Sequence, residues 1–389
     1  MTDGVDYDVA ILGAGLAGLS LATRLADPRF SELRVLIVEP RVDYRRDRTW
    51  SYWNLRPHPF REAVIASWDK WAVVTEDRHV VRQVPGLRYE TIPADAFYRL
   101  ALARLRAAPN ITMLSGVTAA ATEDDDGVQI RFGQLSARAA VAFDTRPPMV
   151  SRRYGLTQVF VGLEIETRDA VFDPGTTTLM DFRCAQSGAT HFTYVLPFTG
   201  RRALIEDTWF APAGFRPPDH KGFIRDYLRI RFGVDDFAIL FEERGALPMD
   251  PVFRPCKRKR LVAFGSAGAA TRPSTGYAFN AIQAECDAVA ADLAAGQRPH
   301  AAPPRPRMVR LMDKVLLELL GRQPELAPHV FASLFDRCDP LALVRFLNDA
   351  ARPSDFVAVA AAIPFLPTVR SALRLAAERM EWSGRVVAG

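Results

Sequence analysis

The 389-residue sequence predicts an α/β fold, α+β overall, in which a nucleotide-binding domain is interrupted by an inserted antiparallel sheet and followed by a helical C-terminal region. Three observations predict it. A strand, a glycine turn and a helix follow one another in "YDVAILGAGLAGLSLATRLAD" (Tyr7 to Asp27), and that pattern returns late in "RLVAFGSAGAATRPSTGYAFNAIQ" (Arg260 to Gln283). Between them, about Arg152 to Asp250 is rich in β-branched and aromatic residues and punctuated by turn residues.

Taken in order, the apolar run in "LRVLIVEP" (Leu33 to Pro40) reads as a second buried strand, so the first segment is a βαβ unit with parallel neighbours. Ala94 to Ala107 has apolar residues at helical spacing. "ITMLSG", "VQIRF" and "AAVAFDTRP" are short strands, and "EDDDG" (Glu123 to Gly127) is an exposed hairpin turn. "QVFVGLEIET", "TTTLMDF", "THFTYVLPF" and "RALIEDTWF" read as successive strands of one antiparallel sheet. A proline-rich connector, Arg298 to Arg307, leads into helices. The implied division is 1–150 and 256–300 for the two nucleotide-binding parts, 151–255 for the substrate sheet and 301–389 for the helical region.

Composition narrows the function. With 49% hydrophobic and 24% charged residues the chain is an ordinary globular protein. Its net charge of +5 comes with no basic run interleaved with aromatics, so no nucleic-acid partner is implied. The densest basic cluster, "CKRKR" (Cys256 to Arg260), leads into a strand and reads as its solvated start. Cys184, Cys256, Cys286 and Cys338 are scattered, and His58, His79 and His191 lack ligand spacing, so neither a disulfide framework nor a metal site is implied. Reduced, cytoplasmic thiols are the default expectation. No secretory signal and no uninterrupted apolar stretch of about 18 residues is present, so any membrane contact is expected to be peripheral.

Gly13, Gly15 and Gly18 form G-x-G-x-x-G between a strand and a helix, with Glu39 closing the next strand. This context marks a Rossmann-type dinucleotide site. Gly13 permits the tight turn around Ala14, Gly15 lets the backbone approach a pyrophosphate, and Gly18 lets helix and strand pack closely. The helix N-terminus faces the phosphates, and Glu39 accepts from ribose hydroxyls. The late return distinguishes FAD from NAD, because FAD-binding folds of the glutathione-reductase type bring a late strand and helix to the flavin end. Gly265 and Gly268 allow close approach there, and Thr275, Gly276 and Tyr277 open the helix aimed at the flavin. Ser266 stands where many relatives carry an acid for the ribitol.

The remaining motifs are "DRTWSYW" (Asp47 to Trp53), "FDTRP" (Phe143 to Pro147), "LIEDTWF" (Leu204 to Phe210), "ERGALPM" (Glu243 to Met249), "PSTGYAFNAIQ" (Pro273 to Gln283) and "LFDRCDPLALVRFLND" (Leu334 to Asp349). In this order, over nearly the whole chain, they resemble the lycopene cyclases of carotenoid biosynthesis, most closely the bacterial beta-cyclases. The resemblance implies FAD, active in its reduced form with NADPH as the electron donor. It implies an apolar polyene substrate, lycopene, whose linear ends are closed into rings by protonation, cyclisation and proton loss.

Glu206 aligns with the acid that the family assigns to acid–base catalysis, and Asp207 is its support. The residues alone leave a buried salt bridge open as the alternative. On a regular strand the two acids face opposite ways. Trp50, Tyr52 and Trp53 are candidates for lining the polyene site or are plain core, and Tyr277 lies beside the flavin end. Arg146 either contacts a carboxylate or the flavin region, or holds a domain junction. "VLLELLG" (Val315 to Gly321) and the segment from Phe356 to Ala376, with Arg370 and Arg374, are either helical core or the surface that meets the inner face of the cell membrane. Rival readings share the late segment: an FAD-dependent monooxygenase, an isoprenoid reductase, or a carotenoid carrier with a vestigial flavin fold. The acidic motif, "DRTWSYW" and "VRFLND" argue against the two enzymes, and the intact glycine fingerprint argues against the carrier.

Overall fold

The computed structural model describes residues 6–146, 155–212, 214–249, 259–299, 305–364 and 367–375. Pro147, Cys256 to Arg258 and the middle of the proline-rich connector lie outside the described residues, as does the end of the apolar tail segment.

The chain opens with β1 (Tyr7–Leu12), α1 (Leu16–Leu25) and β2 (Val35–Glu39), the βαβ unit that the sequence predicts. Next come β3 (Thr49–Trp53), β4 (Ala66–Trp68), β5 (Lys70–Val74), β6 (His79–Gln83), β7 (Tyr89–Pro93) and α2 (Ala94–Arg106). The first nucleotide-binding segment closes with β8 (Ile111–Ser115), β9 (Ala119–Glu123), β10 (Val128–Phe132) and β11 (Leu135–Asp144). The Asp124 carboxylate accepts from the Gly127 and Asp126 N–H groups and pins the predicted hairpin turn between β9 and β10.

In the first sheet β1 lies parallel between β2 and β11, with β8 parallel to the outer edge of β2. β9, β10 and β11 form an antiparallel meander on the far side. Strands β1 and β2 are buried on both faces, which is why they read as unbroken apolar runs. One face, carrying Val9, Ile11, Val35 and Ile37, packs on α1, on α2 and on α4 (Phe279–Ala294). The late strand β17 (Leu261–Ala263) pairs parallel with the end of β11, completing the sheet from more than a hundred residues away.

The second sheet contains β12 (Thr157–Thr167), β13 (Thr176–Asp181), β14 (Thr190–Pro197), β15 (Arg202–Ala211) and, after α3 (His220–Phe232), β16 (Phe237–Pro248). Its strand order is β16-β12-β15-β14-β13-β5-β6. It is not purely antiparallel, as the strand pattern predicts, because β13 pairs parallel with β5. Nor is it built only from residues 151–255, since β5 and β6 come from the first segment. One face packs on α3 through Val161, Leu163, Ile205, Ile224 and Leu228. The other face meets a small antiparallel sheet, β3-β7-β4, and the C-terminal helices.

Those helices are α5 (Arg307–Arg322), α6 (Ala327–Arg337), α7 (Pro340–Leu347) and α8 (Pro353–Ala362). They are tied to the late glycine segment by buried polar contacts. Arg272, fully buried, donates to Asp313 at 2.9 Å and to the Phe346 carbonyl. Ser274 Oγ donates to the same carboxylate, and Asn280 Nδ2 bridges the Trp53 carbonyl and Asn348. Among the described residues no single helix is long and apolar enough to cross a membrane. Taken together, α8 and the helix Pro367–Leu375 are, but they are bent by 117°.

Candidate active site

The glycine turn has the geometry of a dinucleotide cradle. Gly13 adopts φ +101°, a left-handed conformation that favours glycine. A Cβ on Gly18 would lie 2.0 Å from the Gly13 carbonyl oxygen, so only glycine lets α1 sit this close to β1. Gly15 caps α1 without a side-chain hydrogen bond, and the space above it is open: within 4 Å a Cβ would meet only Arg41 Nη2, at 3.9 Å. The first-turn N–H groups of α1 are therefore available to an anion.

Glu39 ends β2 and accepts from the Ala14 N–H and from Arg41 Nε at 2.9 Å. Burial pushes its carboxyl up, but the Arg41 side chain and these N–H groups outweigh burial and hold it below its ordinary value. Arg41, which no motif marks, also donates to the Ala14 carbonyl at 2.9 Å and so ties the end of β2 to the glycine turn.

The late segment closes the other end. Gly265 has φ +63°, and a Cβ there would sit 2.4 Å from the Ala17 Cβ, so this turn docks directly on α1. Gly268 lies against the Ala263 carbonyl, and Gly276 turns the chain with φ +72° beside Gln158. Thr275 Oγ1 accepts from the Tyr277 N–H at 3.2 Å. Where Ser266 replaces the expected acid, Glu285 on α4 reaches in and accepts from the Gly265 N–H at 3.1 Å. Burial pushes Glu285 up to about 7. The uncapped helix, the open Gly15 and the buried Glu39 fit the phosphates and ribose of a dinucleotide. Arg146 lies instead beside the Gly13 turn, where it forms a two-pronged pair with Asp144, at 2.7 and 2.8 Å, and donates to the Ala119 carbonyl.

The acids lie on the second sheet, and the alternation of β15 separates them. Glu206 faces the C-terminal helices and the aromatic residues of β3 and β7. It stands in a row that crosses four strands, with Tyr194 on β14, Gly162 on β12 and Glu243 on β16. Directly paired residues of antiparallel strands share a face, so all four point the same way. Thr208 Oγ1 donates to Glu206 at 2.7 Å. Only 8% exposed, Glu206 is pushed up to about 8 by burial first and by the nearby Glu243 second. Glu243 is 4% exposed and accepts from Thr49 Oγ1 at 2.9 Å. Burial pushes it up to about 7, with Thr49 and Arg46 pulling the other way.

Asp207 faces the opposite layer. Its carboxylate is fully buried between His191 Nε2 at 2.6 Å and His220 Nδ1 at 2.7 Å, and it accepts from Trp209 Nε1 at 3.2 Å. Burial raises this carboxyl, but the two histidines and Trp209 outweigh burial and hold it low. His191 stacks on Trp209 with ring centroids 3.6 Å apart. Neither histidine is marked by spacing in the sequence, because each reaches Asp207 from a different element.

Alternation also divides the aromatic candidates of β3. Trp50 packs edge-on against Phe97 and Tyr98 of α2, and Tyr52 stacks on Phe279 of α4. Trp53 points the other way, into a cluster with Tyr89, Trp71 and Tyr277. There Tyr194 donates to the Tyr89 hydroxyl at 2.9 Å, and the Tyr89 and Tyr277 hydroxyls lie 3.4 Å apart. A chain of hydroxyls thus runs from the late glycine segment to the strand beside Glu206. Of the predicted site residues, Glu206, Trp53 and Tyr277 converge here, while Trp50, Tyr52, Arg146 and Asp207 do not. Tyr89 and Tyr194 complete the cluster without any signal in the sequence beyond their aromaticity.

The family model for "Lycopene cyclase protein" matches residues 8–373. A lycopene beta-cyclase from Paracoccus sp. is 32% identical over 255 residues, 62% of this chain and 61% of that protein. One from Pantoea ananas is 26% identical over 301 residues, 73% of this chain and 74% of that protein. The match therefore spans about three fifths of the Paracoccus relative's length. Among solved structures, a geranylgeranyl bacteriochlorophyll reductase-like protein from Thermoplasma acidophilum superposes with a TM-score of 0.59 at 13% identity, covering 94% of this chain and 95% of that one. Aklavinone-11 hydroxylase, solved with FAD and aklavinone, gives 0.55 at 18% identity over 88% and 69%. At these identities the likeness establishes the fold: an FAD-binding Rossmann-like α/β architecture carrying a second sheet.

Proposed function

The chain belongs to the lycopene cyclase family, and from that premise we propose that it closes the linear ends of lycopene into β-rings, giving γ-carotene and then β-carotene. The reaction is an acid-catalysed isomerisation without net redox change. The observation that carries this reading is Glu206, a buried carboxyl with a proton affinity raised to about 8, on the sheet face that meets the aromatic cluster. An alkene is a weak base, so its protonation needs an acid that is desolvated and still protonated near neutral pH.

Glu206 donates a proton to the terminal double bond, and the resulting tertiary cation is attacked by the neighbouring double bond to close a six-membered ring. Proton loss from the ring then gives the β-ring alkene. Trp53, Tyr89 and Tyr277 exclude the water that would quench the cation and present ring faces to it. Asp207, gripped by two histidines, is a positioning residue that fixes β15 and hence the aim of Glu206.

The cofactor assigned to the glycine cradle is FAD. Gly13, Gly15 and the α1 N-terminus would hold its pyrophosphate, Glu39 and Arg41 its ribose, and the segment from Gly265 to Tyr277 its flavin end. Bound in its reduced form, with NADPH as the source of electrons, it would supply an electron-rich surface that favours a nearby cation.

The substrate resides in lipid, so the enzyme works as a peripheral protein on the inner face of the cell membrane. Supporting this, Met308, Leu311, Val357 and Leu373 expose apolar side chains on the C-terminal helices. Arg310, Lys314, Arg370 and Arg374 are exposed nearby and suit anionic headgroups. Co-flotation with anionic liposomes carrying lycopene is the expected result, and a protein left in the soluble fraction refutes the membrane reading.

Expression in a lycopene-accumulating bacterium tests the activity. Conversion of lycopene to β-ringed carotenes is expected; unchanged lycopene, or hydroxylated or saturated products as a monooxygenase or reductase would make, refutes it.

A further inference from the structure

We propose that Glu243 is the base that removes the proton in the last step of the reaction proposed above, working across Gly162 from Glu206, the acid that adds it in the first. The role rests on the cyclisation reading and extends it to a residue that reading leaves idle.

The sheet register carries the inference. Glu206 and Glu243 both pair with Gly162, one from each side, and so share a face with a bare backbone position between them. Their Cα atoms stand two strand spacings apart, about 10 Å, close enough for both carboxyls to reach one substrate end. The Glu243 side chain leans over Gly162: a Cβ at residue 162 would sit 3.1 Å from Glu243 Cγ and 3.4 Å from its Oε1, so glycine there leaves room for the carboxyl. Both carboxyls are buried, and neither is the one engaged by the local arginines, because Arg46 and Arg202 pair with Glu164.

The surroundings of the two acids differ in the direction that the two roles require. Glu206 has Tyr194 beside it on β14 and feels the charges of Glu243 and Asp207, both negative, which favours its protonated form. Glu243 accepts from Thr49 on β3 and feels the positive charges of Arg46 and Arg48 against that of Glu164. Each carboxyl accepts one hydroxyl, Glu206 from Thr208 and Glu243 from Thr49, so the difference lies in the charges: only anions act on Glu206, while Glu243 also feels cations, which favour a carboxylate. Burial raises both carboxyls, Glu206 the further, which leaves Glu243 the readier of the two to act as the carboxylate.

The step balances. Glu206 loses its proton to one carbon of the terminal double bond. The electron pair of the next double bond forms the ring bond and leaves the positive charge on a ring carbon. The adjacent C–H bond then breaks, its electron pair becoming the ring double bond as the Glu243 carboxylate takes the proton. One proton is added and one removed, no electron is gained or lost, and exchange with water after product departure returns the pair to its starting state.

The test uses the purified, FAD-loaded enzyme acting on lycopene in liposomes, with retained flavin absorbance as the control for folding. Wild type is expected to give β-rings, with activity falling as pH drops through about 7, where Glu243 becomes protonated. Glu243→Gln should lower kcat on the order of 10²-fold with little change in KM and abolish that acid limb. It should also yield rings whose double bond lies elsewhere, because no fixed base selects the proton that leaves. Glu243→Asp should restore the β-ring. Gly162→Ala keeps both carboxyls and should slow ring formation at least about tenfold, part of that same acid–base contribution.

A Glu243→Gln enzyme that matches wild type overturns the role of Glu243 alone. So does one that is slowed but keeps pure β-rings and the acid limb, and so does an unslowed Gly162→Ala enzyme. A wild-type enzyme that forms no ring overturns the reaction and this role together.

Discussion

Replacing Glu206 with glutamine should abolish cyclisation and stabilise the fold, and the gain should grow with pH. In the folded state burial and Glu243 raise this carboxyl from an ordinary 4.5 to about 8. The folded protein therefore holds a proton that the unfolded chain releases, and wild type loses stability as pH rises between those two values. At about 1.4 kcal/mol per pH unit the full penalty is at most about 5 kcal/mol. Glutamine keeps the shape and the acceptor for Thr208 but cannot ionise. Its advantage should be near zero below pH 4.5, rise through neutrality and level off above about pH 8. Urea unfolding of both proteins with equal FAD loading, at pH 4.5, 6.5 and 8.5, reads this directly. A Glu206→Gln protein no more stable than wild type at pH 8.5, or a gain that does not vary with pH, would refute the claim that this carboxyl is held protonated by its surroundings.

The neighbouring acid should behave oppositely. Asp207→Ala removes a buried, held-low carboxylate from His191, His220 and Trp209 and should cost about 3–5 kcal/mol, read as a lower urea midpoint. Asp313→Ala takes the nearer carboxylate from the fully buried Arg272 guanidinium, leaving Asp349 at 3.7 Å, and should cost about 3 kcal/mol while loosening the late glycine segment so that flavin is lost on desalting. Gly18→Ala forces a methyl to within 2.0 Å of the Gly13 carbonyl oxygen, and the purified protein should carry no flavin absorbance. Retention of the wild-type flavin content would remove Gly18 from the cradle.

What was legible in the sequence was local. The glycine fingerprint with Glu39 declares its strand, turn and helix because Gly13 answers a local left-handed turn and Gly18 a contact five residues back along the chain. The separation of Glu206 from Asp207 follows from strand alternation, and the same rule divides Trp53 from Trp50 and Tyr52. Which face meets the substrate layer does not follow, since that depends on how β3 and β15 pack on elements far along the chain. The parallel pairing of β5 with β13, about a hundred residues away, leaves no local mark. The row from Tyr194 through Glu206 and Gly162 to Glu243 exists only once the register of four strands is set. His191 and His220 meet on Asp207 from β14 and the start of α3, a convergence that no spacing encodes.

The central claim is that a proton from Glu206 starts a redox-neutral ring closure, and turnover in heavy water tests it most directly. Lycopene converted by the FAD-loaded enzyme in D₂O should give carotene carrying one solvent deuterium per ring, at the carbon that received the proton, and Glu206→Gln should give neither ring nor label. Rings formed without deuterium, or labelled rings from the Glu206→Gln enzyme, would contradict it.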